Sequence, residues 1–211
     1  MSAEDRMDPR ALEVARACKG FLDEEEGLRL HDLARESAAL GPIVEIGSYC
    51  GKSSVYVGAG ARAGGGKLVC VDHHRGNEEQ QPGEAYHDSD LFDPEQGAMD
   101  SLRVIRRTIR EAGLEDTAML LVSSSAAAAS LVSVPLGMVF IDGGHSFEAA
   151  QIDYERWAGK VAHGGILAIH DLFPNPDDGG QAPITIYRQA VASQLFNELP
   201  TTKTLGALRR R

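Results

Sequence analysis

One stretch decides the fold: residues 43–54, Ile43-Val44-Glu45-Ile46-Gly47-Ser48-Tyr49-Cys50-Gly51-Lys52-Ser53-Ser54. Its β-branched start is typical of a strand that is buried on both faces of a parallel sheet. Gly47 and Gly51 allow a sharp turn and a close approach to a ligand, because neither residue has a Cβ atom. Ser53 and Ser54 open a helix whose free N–H groups point at the same spot. The stretch therefore predicts a ligand cradle at the carboxyl end of the first strand.

Glu45 indicates which ligand the cradle binds. A dinucleotide site has glycines at G-x-G-x-x-G and offers N–H groups to a pyrophosphate, whereas the pattern here is E-x-G-x-x-x-G. A carboxylate beside the cradle repels phosphate and favours a cationic or hydroxyl-bearing group. S-adenosylmethionine fits this requirement, since it carries an ammonium, a sulfonium and a ribose diol but no phosphate. A plain strand-to-helix turn without a ligand is the alternative.

The next two strand ends supply further polar groups for such a ligand. Residues 67–72 read as a buried strand that ends at Asp72, with His73 directly after it. An acid at this position of a βαβ unit reaches the two hydroxyls of a ribose, although a helix cap is the alternative role for Asp72. Ser124 and Ser125 follow a strand at 119–122 and either bond an adenine edge or cap the next helix.

Two later strands end in groups able to do chemistry. The strand at 137–141 runs into Asp142 and, after two glycines, His145, while Gly164-Gly165 is read as a turn into a strand that delivers His170 and Asp171. Asp142, His170 and Asp171 form a mixed oxygen and nitrogen set that suits a divalent cation. The alternative is a trio without metal, in which Asp142 meets the cofactor's ammonium and the other two contact substrate.

The segment from 76 to 97 is polar and rich in turn residues. Loops of this length within a compact domain are usually functional or disordered. Two roles stay open for it, a lid over the substrate and a contact between subunits of an oligomer. The lid interpretation names His74, Tyr86, His87 and Phe92 as pocket contacts.

Composition limits the partners. The chain has 211 residues, 21 Lys and Arg against 31 Asp and Glu, and a net charge of −10, which disfavours nucleic acid. The final Arg209-Arg210-Arg211 reads as a solvated tail. Three scattered cysteines favour free thiols in a reducing cytoplasm. The charged start at 1–6 has no apolar core behind it, and no apolar run is long enough to span a membrane.

The remaining pattern completes an α/β fold. Helices are expected from Asp8 and from Asp23, with Glu24, Glu25 and Glu26 as a solvated cap at the positive end of the second helix. Strands at 194–199 and 203–208 are spaced for an antiparallel hairpin. The sequence thus predicts a Rossmann-like, doubly wound sheet of seven strands, mostly parallel with an antiparallel last strand, and helices on both faces.

The motif at 44–53, Asp72, the turn at Asp142 and the strand from Gly164 to Asp171 resemble the class I S-adenosylmethionine-dependent methyltransferases. The closest likeness is to the catechol O-methyltransferase-like and cephalosporin-hydroxylase-like branches, of the Methyltransf_24 type, over about residues 25–173 and the closing strands. The first motif, Glu-x-Gly-x-Tyr-Cys-Gly-x-Ser, is more specific than a bare glycine pattern.

The resemblance implies roles for individual residues. Contacts to the methionine part of the cofactor are implied for Gly47, Ser48, Tyr49 and Ser53, and Asp72 would bind the ribose. Asp142 would be the first metal ligand, with His170 and Asp171 as the other two. His145 takes the place of a lysine that acts as general base in the catechol enzymes. Adding neighbours of these groups, the full cofactor set is Glu45, Gly47, Ser48, Tyr49, Gly51, Ser53, Asp72, His73, Ser124, Ser125 and Asp142.

Two departures from the catechol enzymes matter. A histidine, His170, stands where that family has a carboxylate, so Mg²⁺, a softer divalent ion and no metal are all open. His145 in place of lysine suits an acceptor hydroxyl of lower pKa or a different acceptor atom.

The expected organisation is a single domain, with covering helices at 1–40 and a cofactor-binding methyltransferase domain at 41–211. The expected function is methylation of a hydroxyl on a small-molecule acceptor, assisted by a divalent metal, with Asp142 and His145 as catalytic residues. No nucleic acid or membrane partner is expected. Alternatives are a non-methyl metal-dependent reaction, a nicotinamide-dependent enzyme, and a non-catalytic cofactor-binding module.

Overall fold

The computed structural model describes residues 7–84 and 87–211. The charged start at 1–6 and Tyr86 therefore lie outside the described residues. The helices are α1 Pro9–Ala17, α2 Glu24–Ser37, α3 Lys52–Ala63, α4 Leu102–Glu111, α5 Ser125–Leu131, α6 Phe147–Trp157 and α7 Ala182–Ala192. The strands are β1 Ile43–Ile46, β2 Leu68–Asp72, β3 Phe92–Asp93, β4 Ala98–Met99, β5 Ala118–Val122, β6 Leu136–Ile141, β7 Val161–Ile169, β8 Phe196–Glu198 and β9 Gly206–Arg210.

A seven-stranded sheet runs through the chain in the order β5-β2-β1-β6-β7-β9-β8. The chain builds outward from β1 to β2 and β5, and then crosses to place β6 on the other side of β1. This reversal puts the topological switch point between the carboxyl ends of β1 and β6, where ligands bind in open α/β sheets. Both strands are fully buried, as the apolar runs predict.

Helices cover both faces of the sheet. On one face α1, α2, α3 and α4 pack against side chains such as Ile43, Met138 and Phe140. On the other, α5, α6 and α7 pack against the alternate residues of the same strands, among them Val44 and Val139. The predicted doubly wound architecture is confirmed, and the domain division at residue 40 stays a prediction.

The closing strands correct two details of the prediction. β8 lies within the expected 194–199 but is shorter, and β9 is shifted towards the C-terminus from the expected 203–208. β9 is antiparallel to both β7 and β8, so the antiparallel strand is confirmed. Arg209 and Arg210 belong to β9 and are not a solvated tail. The Arg209 guanidinium donates to the Gly164 carbonyl and to Glu36, which ties the strand to its surroundings.

The expected turn at Gly164-Gly165 is wrong, because β7 runs through both residues from Val161 to Ile169. The pairing of β6 with β7 shifts register at this point. A Cβ atom on Gly165 would lie 2.8 Å from the Gly137 carbonyl oxygen. The glycines therefore allow the register shift between β6 and β7 and the close approach of these two strands.

The second helix begins as predicted, but its triple glutamate is not uniformly solvated. Asp23 and Glu26 form a capping box at the start of α2. The Glu26 side chain, however, turns inward, and the residue is only 3% exposed. The interpretation of Glu26 as a solvated cap is therefore wrong.

Two further expectations can be compared with the described residues. Within 7–84 and 87–211, no helix combines the length and the apolar character that crossing a membrane requires. All three cysteines are free: Cys50 and Cys70 are buried and Cys18 is half-buried.

Candidate active site

Two adjoining cavities lie at the carboxyl edge of the sheet, over the switch point between β1 and β6. The narrow cavity has a volume of about 290 Å³ and the wide cavity about 720 Å³. Gly47, Tyr49, Asp142 and His145 line both of them. Two pocket-sized spaces therefore meet at the residues that the sequence analysis places at the centre of the chemistry.

Gly47 brings the ends of β1 and β6 together. Its φ is +83°, and a Cβ atom there would lie 2.1 Å from the carbonyl oxygen of Asp142. The Asp142 N–H donates to the Ile46 carbonyl at 2.9 Å. Gly51 has a different role from the predicted one, since its Cβ position would meet Ile105 of α4 at 2.9 Å and it lines neither cavity.

Asp72 holds the turn after β1 in place. One oxygen of its carboxylate accepts hydrogen bonds from the N–H groups of Ser48, at 3.0 Å, and Tyr49, at 2.9 Å. The other accepts from the His74 N–H at 2.7 Å. Asp72 and the exposed His73 also line the wide cavity. The predicted ribose acid is thus placed at the cavity and organises the cradle as well.

The far end of the wide cavity contains Ser124 and Ser125, as predicted. The Ser125 hydroxyl accepts a hydrogen bond from the Trp157 indole at 2.8 Å. Beside it lies Asp153 of α6, which is 4% exposed and whose pKa burial raises to about 6. The sequence analysis missed Asp153. Its spacing of i+3 from Ala150 and i−4 from Trp157 places it on the buried face of α6, and an acid on that face could have indicated a functional role.

The predicted metal trio is brought together. Asp142, His170 and Asp171 each offer a ligand atom, and these atoms lie within 4.8 Å of one another. Nδ1 of His170 is 3.2 Å from Asp142 and 3.3 Å from Asp171. Nε2 of the same ring is 3.0 Å from the carboxylate of Glu26. Burial alone would lower the pKa of His170, but the surrounding carboxylates outweigh it and raise the pKa to about 12.

His145 also lies between two carboxylates. Its Nε2 is 3.1 Å from Asp171 and its Nδ1 is 3.2 Å from Glu79. Hydrogen bonding to Asp171 is the main reason that the pKa of His145 is raised, to about 9. A general base must begin as neutral imidazole, whereas this arrangement favours imidazolium at neutral pH. The predicted base role for His145 therefore stays a prediction.

The methionine side of the cradle has an open hydrogen-bonding position. Ser48, Tyr49 and Ser53 line the narrow cavity as predicted. The buried hydroxyl of Ser48 has no hydrogen-bond partner among the described residues. Buried polar atoms are rarely left in this state, so an unpaired hydroxyl at a cavity wall suits a polar ligand.

The outer wall of the narrow cavity includes Phe21, which the sequence analysis did not single out for the site. Phe21, which is 72% exposed, stacks on the ring of Tyr49 with a centroid distance of 6.2 Å. Lys52, Phe173 and the loop at 178–180 also line this side. The wall is therefore partly aromatic.

Among the described residues of the 76–97 insertion, Asn77, Glu79 and Gln80 line both cavities. They are not the predicted lid contacts. His74 is buried against Ser101, with a ring nitrogen 2.8 Å from its hydroxyl. His87 and Phe92 pack on each other edge to face, and neither lines the two cavities. The predicted contact of Tyr86 falls outside the described residues.

A protein family described as "Methyltransferase domain" matches residues 44–172, which is more than half of the chain. The chain belongs to this family. The matched segment runs from β1 to just past β7 and contains Asp72, Asp142, His145, His170 and Asp171. The resemblance drawn from the sequence is confirmed at the level of the family.

Solved structures share the fold of this methyltransferase at low identity. The methyltransferase PaMTH1 of Podospora anserina, bound to S-adenosylhomocysteine (SAH), is 16% identical, with 97% of this chain and 89% of that chain covered and a TM-score of 0.64. An O-methyltransferase of Bacillus cereus in complex with SAH is 16% identical, with 95% and 89% covered and a TM-score of 0.62. The O-methyltransferase TomG of Streptomyces achromogenes, in complex with SAM, is 17% identical, with 97% and 91% covered and a TM-score of 0.63.

Glu45 does not occupy the position that the sequence analysis gave it in this methyltransferase. The residue is completely buried and lines neither cavity. One oxygen of its carboxylate accepts a short hydrogen bond from Ser54, and the other has no partner among the described residues. Glu45 therefore lies outside both cavities, and its predicted contact with the cofactor stays a prediction. Burial raises its pKa to about 7.

Replacing Glu45 with glutamine should stabilise the methyltransferase at alkaline pH. The folded-state pKa of about 7 exceeds the ordinary 4.5, so the wild type loses stability as pH rises between these values. Above pH 7 the full penalty is present, an upper limit of about 3 kcal/mol. Glu45→Gln should thus have the higher free energy of unfolding at pH 8 and match the wild type near pH 4.5, as measured by urea denaturation.

The exposed Glu13→Gln is the control, for which no such pH-dependent difference is expected. The structure further predicts that Glu45→Gln changes the affinity for S-adenosylhomocysteine only a few-fold, because Glu45 lies outside both cavities. A loss of tenfold or more, about 1.4 kcal/mol, would contradict this placement and restore the direct role.

Proposed function

We propose that this chain is an S-adenosylmethionine-dependent methyltransferase that methylates a hydroxyl group of a small-molecule acceptor, with assistance from a divalent cation. The observation that carries the proposal is the meeting of the two cavities at Asp142 and His145. The wide cavity has the polar groups that a nucleoside needs, and the narrow cavity adjoins the candidate metal ligands. Family membership supports the reaction class. The SAH and SAM in the three solved relatives support the cofactor.

The residues present suit this cofactor. Asp72 keeps acceptor capacity for ribose hydroxyls, because each carboxylate oxygen has two lone pairs. Ser48 offers an unpaired hydroxyl to the amino acid part. Several carboxylates line the two cavities and suit a cationic ligand better than a pyrophosphate, among them those of Asp72, Asp142, Asp153 and Glu79. A nicotinamide dinucleotide is accordingly disfavoured.

The donor set also fits a divalent cation. Asp142 and Asp171 would supply oxygen atoms and His170 would supply Nδ1, and the three donor atoms are close enough to share one ion. A nitrogen donor broadens the choice beyond Mg²⁺ to ions such as Mn²⁺ or Zn²⁺. When bound, a cation of this kind lowers the pKa of an acceptor hydroxyl and orients its oxygen.

The protein's own contribution to the reaction is mainly positioning. The acceptor oxygen would form a bond to the methyl carbon as the bond from carbon to the sulfonium sulfur breaks, which leaves a neutral thioether. The walls around Phe21, Tyr49 and Phe173 would hold a planar acceptor in line for this displacement and exclude water. The acceptor hydroxyl would lose its proton to bulk solvent before the displacement, and His145, held between Glu79 and Asp171, would balance the charge left on the oxygen.

The insertion is proposed to act as a lid over both cavities. Asn77, Glu79 and Gln80 line the two spaces. Asp88 anchors the insertion by accepting hydrogen bonds from the Tyr49 hydroxyl at 3.1 Å and the Lys19 ammonium at 2.5 Å. These contacts support a lid over the alternative of an oligomer contact.

The proposal is tested by two measurements on the wild type. Calorimetric titration should show binding of S-adenosylhomocysteine and none of NADH. Transfer of a labelled methyl group to a panel of aromatic hydroxyl compounds should then fall after treatment with EDTA and recover with Mg²⁺ or Mn²⁺. Tighter binding of NADH than of S-adenosylhomocysteine would overturn the cofactor assignment. Methyl transfer that EDTA leaves unchanged would show that the reaction needs no divalent cation.

A further inference from the structure

We propose that Glu26 is a positioning residue of the active site, which keeps a proton on Nε2 of His170 so that Nδ1 is the atom offered to a cation between Asp142 and Asp171. This inference rests on the proposed function, and extends the site to helix α2, outside the segment that defines the family. The argument depends on how the Glu26 carboxylate is bonded.

The Glu26 carboxylate is surrounded by hydrogen-bond donors. Its Oε1 accepts from both the N–H and the hydroxyl of Thr204, each at 2.8 Å. Its Oε2 accepts from the Asp23 N–H at 3.3 Å and lies 3.0 Å from Nε2 of His170. Both side chains are nearly completely buried, at 4% and 6% exposed. The carboxylate is thus enclosed, and two of its partners, His170 and Thr204, come from distant parts of the chain.

The bonding pattern fixes which nitrogen of His170 carries hydrogen. An ionised carboxylate has only acceptors. Both oxygens of Glu26 accept hydrogen bonds, from the N–H and hydroxyl of Thr204 and from the N–H of Asp23, which is the pattern of an ionised carboxylate. Nε2 of His170 must then be a donor, because two buried acceptors facing each other at 3.0 Å would leave both unsatisfied. When a cation displaces one proton from His170, the lone pair that becomes free therefore belongs to Nδ1, which faces Asp142 and Asp171.

Nδ1 faces the other two candidate ligands. It lies 3.2 Å from Asp142 and 3.3 Å from Asp171, while Glu26 approaches from the opposite side of the ring. A carboxylate that holds the remote N–H of a metal-binding imidazole sets the ring's orientation and basicity. Loss of such a partner typically lowers metal affinity 10-fold to 100-fold.

Glutamine at position 26 cannot reproduce this pattern. If its amide oxygen faces Thr204, its NH₂ group faces Nε2 and forces the His170 proton onto Nδ1, where it blocks the cation. If the amide is turned over, the NH₂ group meets the N–H donor of Thr204. Either arrangement disturbs His170, whereas Glu26→Asp keeps a carboxylate and should recover part of the effect.

The test uses the full-length wild type, Glu26→Gln, Glu26→Asp and the control Glu25→Gln, which alters an exposed glutamate on the same turn. Calorimetric titration with Mn²⁺ should show roughly 10-fold to 100-fold weaker binding for Glu26→Gln only, with kcat lowered and the KM for S-adenosylmethionine nearly unchanged. Long-range ¹H–¹⁵N NMR spectra of the wild type with Zn²⁺ should show the His170 proton on Nε2. This spectrum decides the matter even if Glu26→Gln fails to fold.

Two results would overturn the inference: a wild-type His170 whose Nε2 carries no proton, or a folded Glu26→Gln that binds Mn²⁺ as tightly as Glu25→Gln. The outcome is separable from that of the proposed function. If Glu26→Gln binds Mn²⁺ more weakly but the wild-type protein transfers no methyl group, the role of Glu26 is supported and the proposed reaction is wrong. If the wild type transfers a methyl group but Glu26→Gln and Glu25→Gln bind Mn²⁺ equally well, the proposed reaction is supported and the role of Glu26 is wrong.

Discussion

Asp142→Ala is expected to lower the rate of methyl transfer by roughly 100-fold to 1,000-fold, the range found when one preorganised polar group is removed from an active site. Of the residues that the structure describes, Asp142 alone lines both cavities and also belongs to the candidate metal set. Removing its carboxylate also leaves the buried ring of His170 with one acidic neighbour fewer at Nδ1. Affinities for both S-adenosylhomocysteine and Mn²⁺ should therefore fall together.

Steady-state kinetics and calorimetric titration would measure these effects. The Asp142 backbone, which pairs with Ile46, is unchanged by the substitution, so the sheet should remain intact. Asp116→Ala removes an exposed acid near the opposite edge of the sheet and serves as the control. Unaltered cofactor affinity in Asp142→Ala would show that the role assigned to Asp142 is wrong.

Gly47→Ala should be the most destabilising of the substitutions considered, with a loss of more than about 3 kcal/mol in the free energy of unfolding or no folded protein at all. The alanine Cβ would lie 2.1 Å from a backbone carbonyl oxygen, where no flexible side chain can move aside. A φ of +83° adds a conformational penalty for any L side chain. The strands β1 and β6 would have to separate at the edge that carries the site.

Gly65→Ala separates the two causes. Gly65 has a similar φ of +77°, but nothing lies within 4 Å of its Cβ position. Its substitution should lower the free energy of unfolding by about 1–2 kcal/mol only. Urea denaturation of both variants gives the comparison, and equal losses would mean that backbone conformation, not the contact with Asp142, explains the requirement for glycine at 47.

The polar strand ends could be predicted from the sequence because they are local features. Asp72, Asp142 and the pair His170-Asp171 each end an apolar run, and parallel strands deliver such ends to one edge. The direction of Glu45 could not be predicted in the same way. Side chains alternate along a strand, but both faces of this sheet are covered by helices, so no polar face marks the outside.

Contacts between distant segments account for what was missed. Glu26 satisfies a local capping pattern with Asp23, which explained the residue without reference to His170, 144 positions away. Phe21 and Asn77 carry no motif, and only the fold brings them to the cavity walls. Gly164-Gly165 has the composition of a turn, whereas its function is to let two strands approach.

The position of Glu26 has a practical consequence for anyone who shortens or recombines this chain. The segment recognised at the family level starts at residue 44, and a chimera joined there would retain all of the sheet except Ile43, the first residue of β1. It would nevertheless exchange the carboxylate behind His170 for whatever the donor protein supplies. Junctions placed before Asp23 keep that partner with its imidazole.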